Sequence, residues 1–209
     1  MRSVFDELKD LIDYIQSVYS MLTDEWLQNT REKINLKKSQ VSDIDVDGTI
    51  YQSIIEYVQL LNQSCADITL RLSSVCSCQV TARVKTQNSI EYKIQNYKTA
   101  QHELGRIPIN KCINDLFGVR IIVDTPLSFE EVHTFIIETY QGKYKCIDSS
   151  KLDYKATHLY FRENNFAFPW ELQIWNRSDM EKNFASHKQY KQEYTTWEKE
   201  SKEGGIIND

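Results

Sequence analysis

The apolar residues of this chain change period once, near Val75, and that change restricts the available folds more than any other feature. Before it, Val4, Leu8, Leu11, Ile12, Ile15, Val18, Tyr19 and Leu22 recur at intervals of three and four, which places them on one stripe of a helix. A second such run extends from about Ile50 to Leu72 through Ile54, Ile55, Val58 and Leu61. A charged stretch, 29–40, and a turn-rich break, 43–48, separate the two. After Val75 the pattern shortens. Val80 to Lys85 alternates as a strand does, Ser89 to His102 reads as helix, and Gly105 to Asn110 is a break. Arg120 to Val123 suits a buried strand. Ser128 to Thr139 suits a helix with Ser128 as N-cap and Glu130 and Glu131 in its first turn. Lys143 to Ile147, Thr157 to Arg162 and Phe168 to Trp175 fit strands, and a charged helix follows from Asp179 to Lys202. The order predicts an α+β fold, a mixed β-sheet flanked by helices. Its parts are an N-terminal helical region, 1–75, and a sheet-bearing core with a C-terminal helix, 76–203.

At 209 residues the chain suits a single domain, and 41% hydrophobic residues are enough to give it a proper core. A net charge of −5 argues against bulk attraction to nucleic acid or an anionic membrane, while leaving room for a local basic site. Arg31, Lys33, Lys37 and Lys38 form one cationic cluster, read as a solvated face. Asp6, Glu7, Lys9, Asp10 and Asp13 interrupt the first apolar stretch, unlike the uncharged core of a signal peptide. No run reaches the roughly 18 apolar residues of a membrane span, so a cytoplasmic protein is expected. Five cysteines fit reduced thiols there; Cys76-Ser77-Cys78 lacks zinc-knuckle spacing and a second pair.

Chemistry concentrates in the second half. Arg83, Lys85, Ser89 and Lys93 bring three cations and a hydroxyl into eleven residues of an acidic chain. Ser89 and Lys93, four apart, share a helical face, and Arg83 and Lys85 share one side of an extended segment. Converging cations with a hydroxyl donor suit a polyphosphate. Asp115 precedes a buried strand, and Glu171 lies inside the apolar run Phe168 to Ile174. A carboxylate among such neighbours is paired, shifted in pKa, or bound to metal, unless it simply caps a turn or faces outward. Tyr154 and His158 flank the start of an apolar strand, where a Tyr ring could stack on a base. There is no GxxxxGK[ST] phosphate loop, no GxGxxG fingerprint, and no His-Asp pair of a common metal-hydrolase signature.

In order, these residues read Arg-x-Lys-x3-Ser-x3-Lys, Asp-x2-Gly-x-Arg, Tyr-x3-His and Glu-x-Gln-Ile. The set resembles the synthetase domain of the RelA/SpoT family over roughly Val80 to Lys191, as a small stand-alone synthetase. The resemblance implies a nucleotidyltransferase-like fold and Mg²⁺-dependent transfer of pyrophosphate from ATP to a ribose 3′-hydroxyl. It implies ATP-binding roles for Arg83, Lys85, Ser89, Lys93 and Arg120, and catalytic roles for Asp115, Glu171 and Gln173, with Asp115 and Glu171 on the metal. Tyr154, Lys155 and His158 would bind the acceptor. The acceptor side departs from the family pattern: Leu152-Asp153 stands where an Asn-Gly turn is usual, and Trp175-Asn176 where Arg-Thr is usual. Two acceptors therefore stay open, GDP or GTP to give a (p)ppGpp-type alarmone, or the 3′ end of tRNA. In the second case the protein would be a toxin paired with an antitoxin that docks on the N-terminal helices. An inactive nucleotide- or partner-binding module is a third reading, and it predicts loss of a donor-side residue.

Overall fold

The structure is a computed structural model and describes residues 2–186 and 188. Two long helices come first, α1 (Val4–Asn29) and α2 (Thr49–Val75). Ser3 opens α1 with a capping box to Asp6, satisfying two otherwise orphaned backbone donors. The apolar stripes seen in the sequence are largely buried: Leu8, Leu11, Ile12, Ile15 and Tyr19 on α1, and Ile54, Val58, Leu61 and Leu72 on α2, with Ile55 half-buried. Both helices share one hydrophobic cluster with the sheet, so those stripes face the protein's own interior.

The remaining elements are β1 (Gln79–Val84), α3 (Gln87–Tyr97), α4 (Ile109–Cys112), β2 (Phe117–Val123) and α5 (Phe129–Tyr140). They are followed by β3 (Lys145–Asp148), β4 (Thr157–Phe161) and β5 (Trp170–Asn176). The strands form one sheet in the order β1-β2-β5-β4-β3, with β2 and β5 parallel and every other pair antiparallel. The expected α+β fold with a mixed sheet is what the chain adopts. Ser128 caps α5 through a capping box with Glu131, as its sequence implies.

Two boundaries differ from expectation by three residues or more. The helix expected to reach His102 ends at Tyr97, because Glu103 and Leu104 take left-handed backbone angles and Gly105 has φ +78°. A Cβ on Gly105 would stand 2.9 Å from the backbone nitrogen of Ser42, so the chain needs a glycine at this crossing. Strand β2 begins at Phe117, three residues before the apolar run, because both neighbours hold it there: Val84 pairs with Phe117 and Glu171 with Gly118. Residues 180–186 are helical, and the rest of the expected C-terminal helix lies outside the described residues.

Strand alternation divides the sheet into two faces. Val119, Ile121, Leu172, Leu159 and Phe161 point toward the helices. Trp170 lies within 4.2 Å of the Phe117 ring and donates its indole N–H to the buried Tyr57 hydroxyl at 2.9 Å. The other face is polar. One cross-strand row reads Arg83, Gly118, Glu171, Tyr160, and the next reads Thr81, Arg120, Gln173, His158.

Candidate functional site

The polar face carries most of the residues singled out from the sequence. Three strands contribute, and register brings them together: Glu171 lies between Gly118 and Tyr160, and Gln173 between Arg120 and His158. No single segment could have placed them. Gly118 leaves open space, since a Cβ built on it meets no atom within 4 Å.

Glu171 and Gln173 are only 7% and 6% exposed, so their polar groups need partners. Glu171 Oε1 accepts from the Tyr160 hydroxyl at 2.9 Å and lies 2.9 Å from His158 Nδ1. Its Oε2 accepts from Gln173 Nε2 at 2.7 Å. Gln173 Oε1 in turn accepts from Arg120 Nε and a terminal nitrogen at 3.1 and 2.9 Å. On the other side Trp175 Nε1 donates to the Tyr154 hydroxyl at 3.3 Å, and that hydroxyl lies 2.9 Å from His158 Nε2. One proton arrangement satisfies the whole chain. Tyr154 accepts from Trp175 and donates to His158 Nε2, and His158 donates from Nδ1 to Glu171. Burial alone would raise the Glu171 pKa, but the interaction with His158, its hydrogen bond first, outweighs it, with help from the Gln173 amide, and lowers the value. Burial and the neighbouring Glu171 push the Tyr160 phenol up, so it stays a donor.

The second half of the site is a triad of charges. Lys85 Nζ meets Asp115 Oδ2 at 2.7 Å, and Lys93 Nζ meets Oδ1 at 2.9 Å. Lys93 also donates to Asn114 Oδ1 at 3.0 Å. Burial opposes the charge on Asp115, but Lys93 and then Lys85 outweigh it and hold the carboxyl well below the usual range. Burial lowers Lys93 less than Asp115 raises it. Lys85 ends lowered, because burial is joined there by the like charges of Lys93 and Arg83. Ser89 sits in the first turn of α3, its hydroxyl 2.8 Å from that of the capping Thr86. Arg83 is exposed at the far end of β1.

A cleft of about 850 Å³ joins the halves. Lys93, Asn114, Asp115, Tyr154, His158, Glu171 and Gln173 line it, as does the turn Lys151 to Asp153. Lys85 and Arg120 stand behind this lining, bonded to Asp115 and Gln173, whereas Arg83 and Ser89 are not part of it. Lys155 is set apart. It follows Tyr154 in an extended segment, so it turns the other way, and it lines a separate groove at the start of α5.

The sequence did not single out Tyr160, Asn114, Asn183 or Phe184, and it noted Trp175 only as a departure from the family pattern. Tyr160 was legible in principle, being two residues from His158 on a strand. Trp175 supports the site twice, bonding Tyr154 and carrying the Arg120 guanidinium 3.7 Å above its ring. Asn183 is fully buried and binds both the N–H and the carbonyl of Lys155 at 2.8 Å, which docks residues 180–186 beside the cleft. The Leu152-Asp153 turn is closed by paired hydrogen bonds between Lys151 and Tyr154, with Leu152 left-handed at φ 52° and its side chain in solvent.

Comparison with known proteins gives two kinds of result. No curated protein matches the chain. Among solved structures, small alarmone synthetase 1 from Bacillus subtilis is 17% identical, over 68% of this chain and 80% of that one, with a TM-score of 0.42. Small alarmone synthetase 2 from the same organism is 17% identical over 71% and 82%, with a TM-score of 0.38. A structure of the first enzyme bound to AMPCPP gives 16% identity over 68% and 80%, with a TM-score of 0.39. The profile described as a region found in RelA / SpoT proteins matches residues 82–195, more than half of the chain and all of the site strands. The chain belongs to the RelA/SpoT family.

Proposed function

We propose that the protein is an ATP-dependent pyrophosphokinase that transfers the β,γ-pyrophosphate of ATP to the 3′-hydroxyl of a ribose, with GDP or GTP as acceptor. The observation that supports this is the pairing, across one cleft, of a lysine–aspartate cluster with a buried, ionised glutamate joined to His158 and Tyr154. Lys85 and Lys93 meet the phosphates of ATP, with Arg83, Ser89 and Arg120 in support. The Tyr154 ring stacks on the acceptor base, and His158 fixes the Tyr154 hydroxyl. Glu171 takes the proton of the 3′-hydroxyl. Its Oε2 has one donor where Oε1 has two, which makes Oε2 the oxygen with room for that proton. A bond forms between the ribose O3′ and the β-phosphorus, the bond from that phosphorus to the α-phosphate oxygen breaks, and AMP leaves. Mg²⁺ fits the donor set, because Asp115 and Glu171 offer hard carboxylate oxygens to one cleft and such ions need only one or two besides phosphate. When bound, it neutralises charge that builds on the phosphates.

A second acceptor, the 3′ end of tRNA, is favoured by one specific observation. A further cleft of about 1050 Å³ adjoins the first through Asn114, Ile147 and Tyr160, and Lys37, Lys111, Lys143, Lys145 and Arg162 line it. Five cations along a groove suit a phosphodiester backbone. Of the cationic cluster noted in the sequence, Lys37 joins this groove and Lys33 lines a different one. In this reading an antitoxin is the implied partner.

The test incubates purified protein with γ-labelled ATP, Mg²⁺ and either GDP, GTP or deacylated tRNA. The reading requires label in an acceptor, AMP rather than ADP as by-product, and loss of both in Glu171→Gln. Label in a guanosine polyphosphate alone selects the first acceptor, and label in RNA alone selects the second. No transfer to any acceptor, with wild type and Glu171→Gln alike, overturns the proposal.

A further inference from the structure

Away from the cleft, the first turn of α1 meets the junction of α2 and β1. Glu7, Cys76 and Cys78 lie there with one carboxylate oxygen and both sulfurs all within 4.8 Å of one another. Cys76 has extended backbone angles, φ −125° and ψ 139°, so residues two apart present their side chains to the same side. Glu7 Oε2 lies 3.4 Å from Cys76 Sγ and 3.7 Å from Cys78 Sγ. In a tetrahedral zinc centre, Zn–S near 2.3 Å and Zn–O near 2.1 Å set a sulfur–oxygen edge of about 3.6 Å. Both observed separations match that edge. The surroundings also resemble those of a ligand set. The Cys78 N–H donates to Cys76 Sγ at 3.2 Å, and the Ser77 N–H donates to Glu7 Oε2 at 3.0 Å. Bonds of this kind orient metal ligands. The Ser77 hydroxyl holds the carboxylate from both oxygens, at 2.8 and 2.7 Å.

We propose that Glu7, Cys76 and Cys78 form a binding site for a thiophilic divalent cation, with zinc as the fit and water in the fourth position. The spacing Cys-x-Cys excluded a zinc knuckle on sequence grounds; the third ligand comes from a residue sixty-nine positions earlier, which spacing does not reveal. Burial keeps both thiols protonated at neutral pH, pushing Cys76 to about 12. Loading therefore breaks two S–H bonds, forms two metal–sulfur bonds and releases two protons to solvent. The bound ion ties α1 to the start of β1, the edge strand that carries Arg83.

The experiment titrates the full, reduced chain with Co²⁺ and follows the thiolate-to-metal absorption, then displaces Co²⁺ with Zn²⁺. The expected result is one ion per chain, absorption lost in Cys76→Ser and in Cys78→Ser, and retained in Cys65→Ser. Wild-type protein supplies a second measurement that depends on no variant: Zn²⁺ should protect Cys76 and Cys78, and not Cys65, from alkylation. At a hundredfold excess of free Zn²⁺ over Kd the melting temperature should rise by about 5 °C or more. Absence of the absorption together with unprotected thiols overturns the site. So does a reduced-then-aired protein whose mass is short by two hydrogens, with Cys76 and Cys78 joined, if Zn²⁺ does not prevent that bond.

Discussion

Replacing Asp115 with asparagine removes the one negative charge that two buried ammonium groups share. The side chains of Asp115, Lys85 and Lys93 are 16%, 15% and 16% exposed, so these are not surface ion pairs of small worth. Removing one member of a buried pair leaves its partners charged and unpaired, which costs about 3–5 kcal/mol. Asparagine keeps one carbonyl oxygen for one lysine, which places the expected loss near ~3 kcal/mol. For a chain of this size that lowers the melting temperature by about 6–12 °C. The effect has a pH signature. Asp115 is held below its unfolded value, so its contribution is complete above that value, about 3.9, and fades as pH falls through the folded one. Urea unfolding of wild type and Asp115→Asn should show the full difference at pH 7, and the two should converge on acidification below about pH 4. Adding Lys93→Gln to Asp115→Asn should restore part of the loss, because it removes one stranded cation. A variant within about 1 kcal/mol of wild type at pH 7, or a gap unchanged by acid, would refute the account of this cluster.

Four further outcomes follow from the geometry. Tyr154→Ala should raise the acceptor KM by about 5- to 150-fold, the worth of one base stack, with ATP affinity unchanged. Tyr154→Phe keeps the ring but cuts the link from Trp175 to His158, so kcat should fall while acceptor KM holds; equal loss of ATP affinity in either variant would show that Tyr154 does not serve the acceptor. Leu152→Gly relieves a left-handed leucine with an exposed side chain and should stabilise the protein by about 1 kcal/mol, read as a higher urea midpoint; no gain would mean the turn is unstrained. Asn183→Ala removes both bonds to the Lys155 backbone and should destabilise by about 2 kcal/mol, with faster hydrogen exchange at the Lys155 amide. Unchanged exchange there would show that residues 180–186 are docked by other contacts.

The long helices and the Ser128 cap were legible because each depends on local spacing: a stripe repeating every three or four residues, or a hydroxyl three residues from a carboxylate. Charge clustering likewise pointed to Lys85 and Lys93, and a carboxylate set before a buried strand pointed to Asp115. What spacing could not show is which oxygen each lysine meets, since the pairing spans about thirty residues and depends on where α3 ends. Glu171 was read against an outward-facing alternative; it is buried because β5 is central in the sheet, a fact of strand order. Tyr160 looked like an ordinary strand aromatic and Trp175 like a bare departure from the family pattern, and only register shows their hydroxyl and indole N–H serving the site. The resemblance grouped Lys155 with Tyr154 and His158, whereas an extended chain sends adjacent side chains to opposite sides.

Gly118 has no left-handed backbone angle and no crowding neighbour, so the fold does not require a glycine there. Within a strand, as at this second residue of β2, alanine would be preferred by up to about 0.5–1 kcal/mol. Yet a methyl group at that position would stand on the polar face between Arg83 and Glu171. Gly118 is then a position where thermal robustness and turnover trade against each other, and Gly118→Ala should give a tougher protein that works less well.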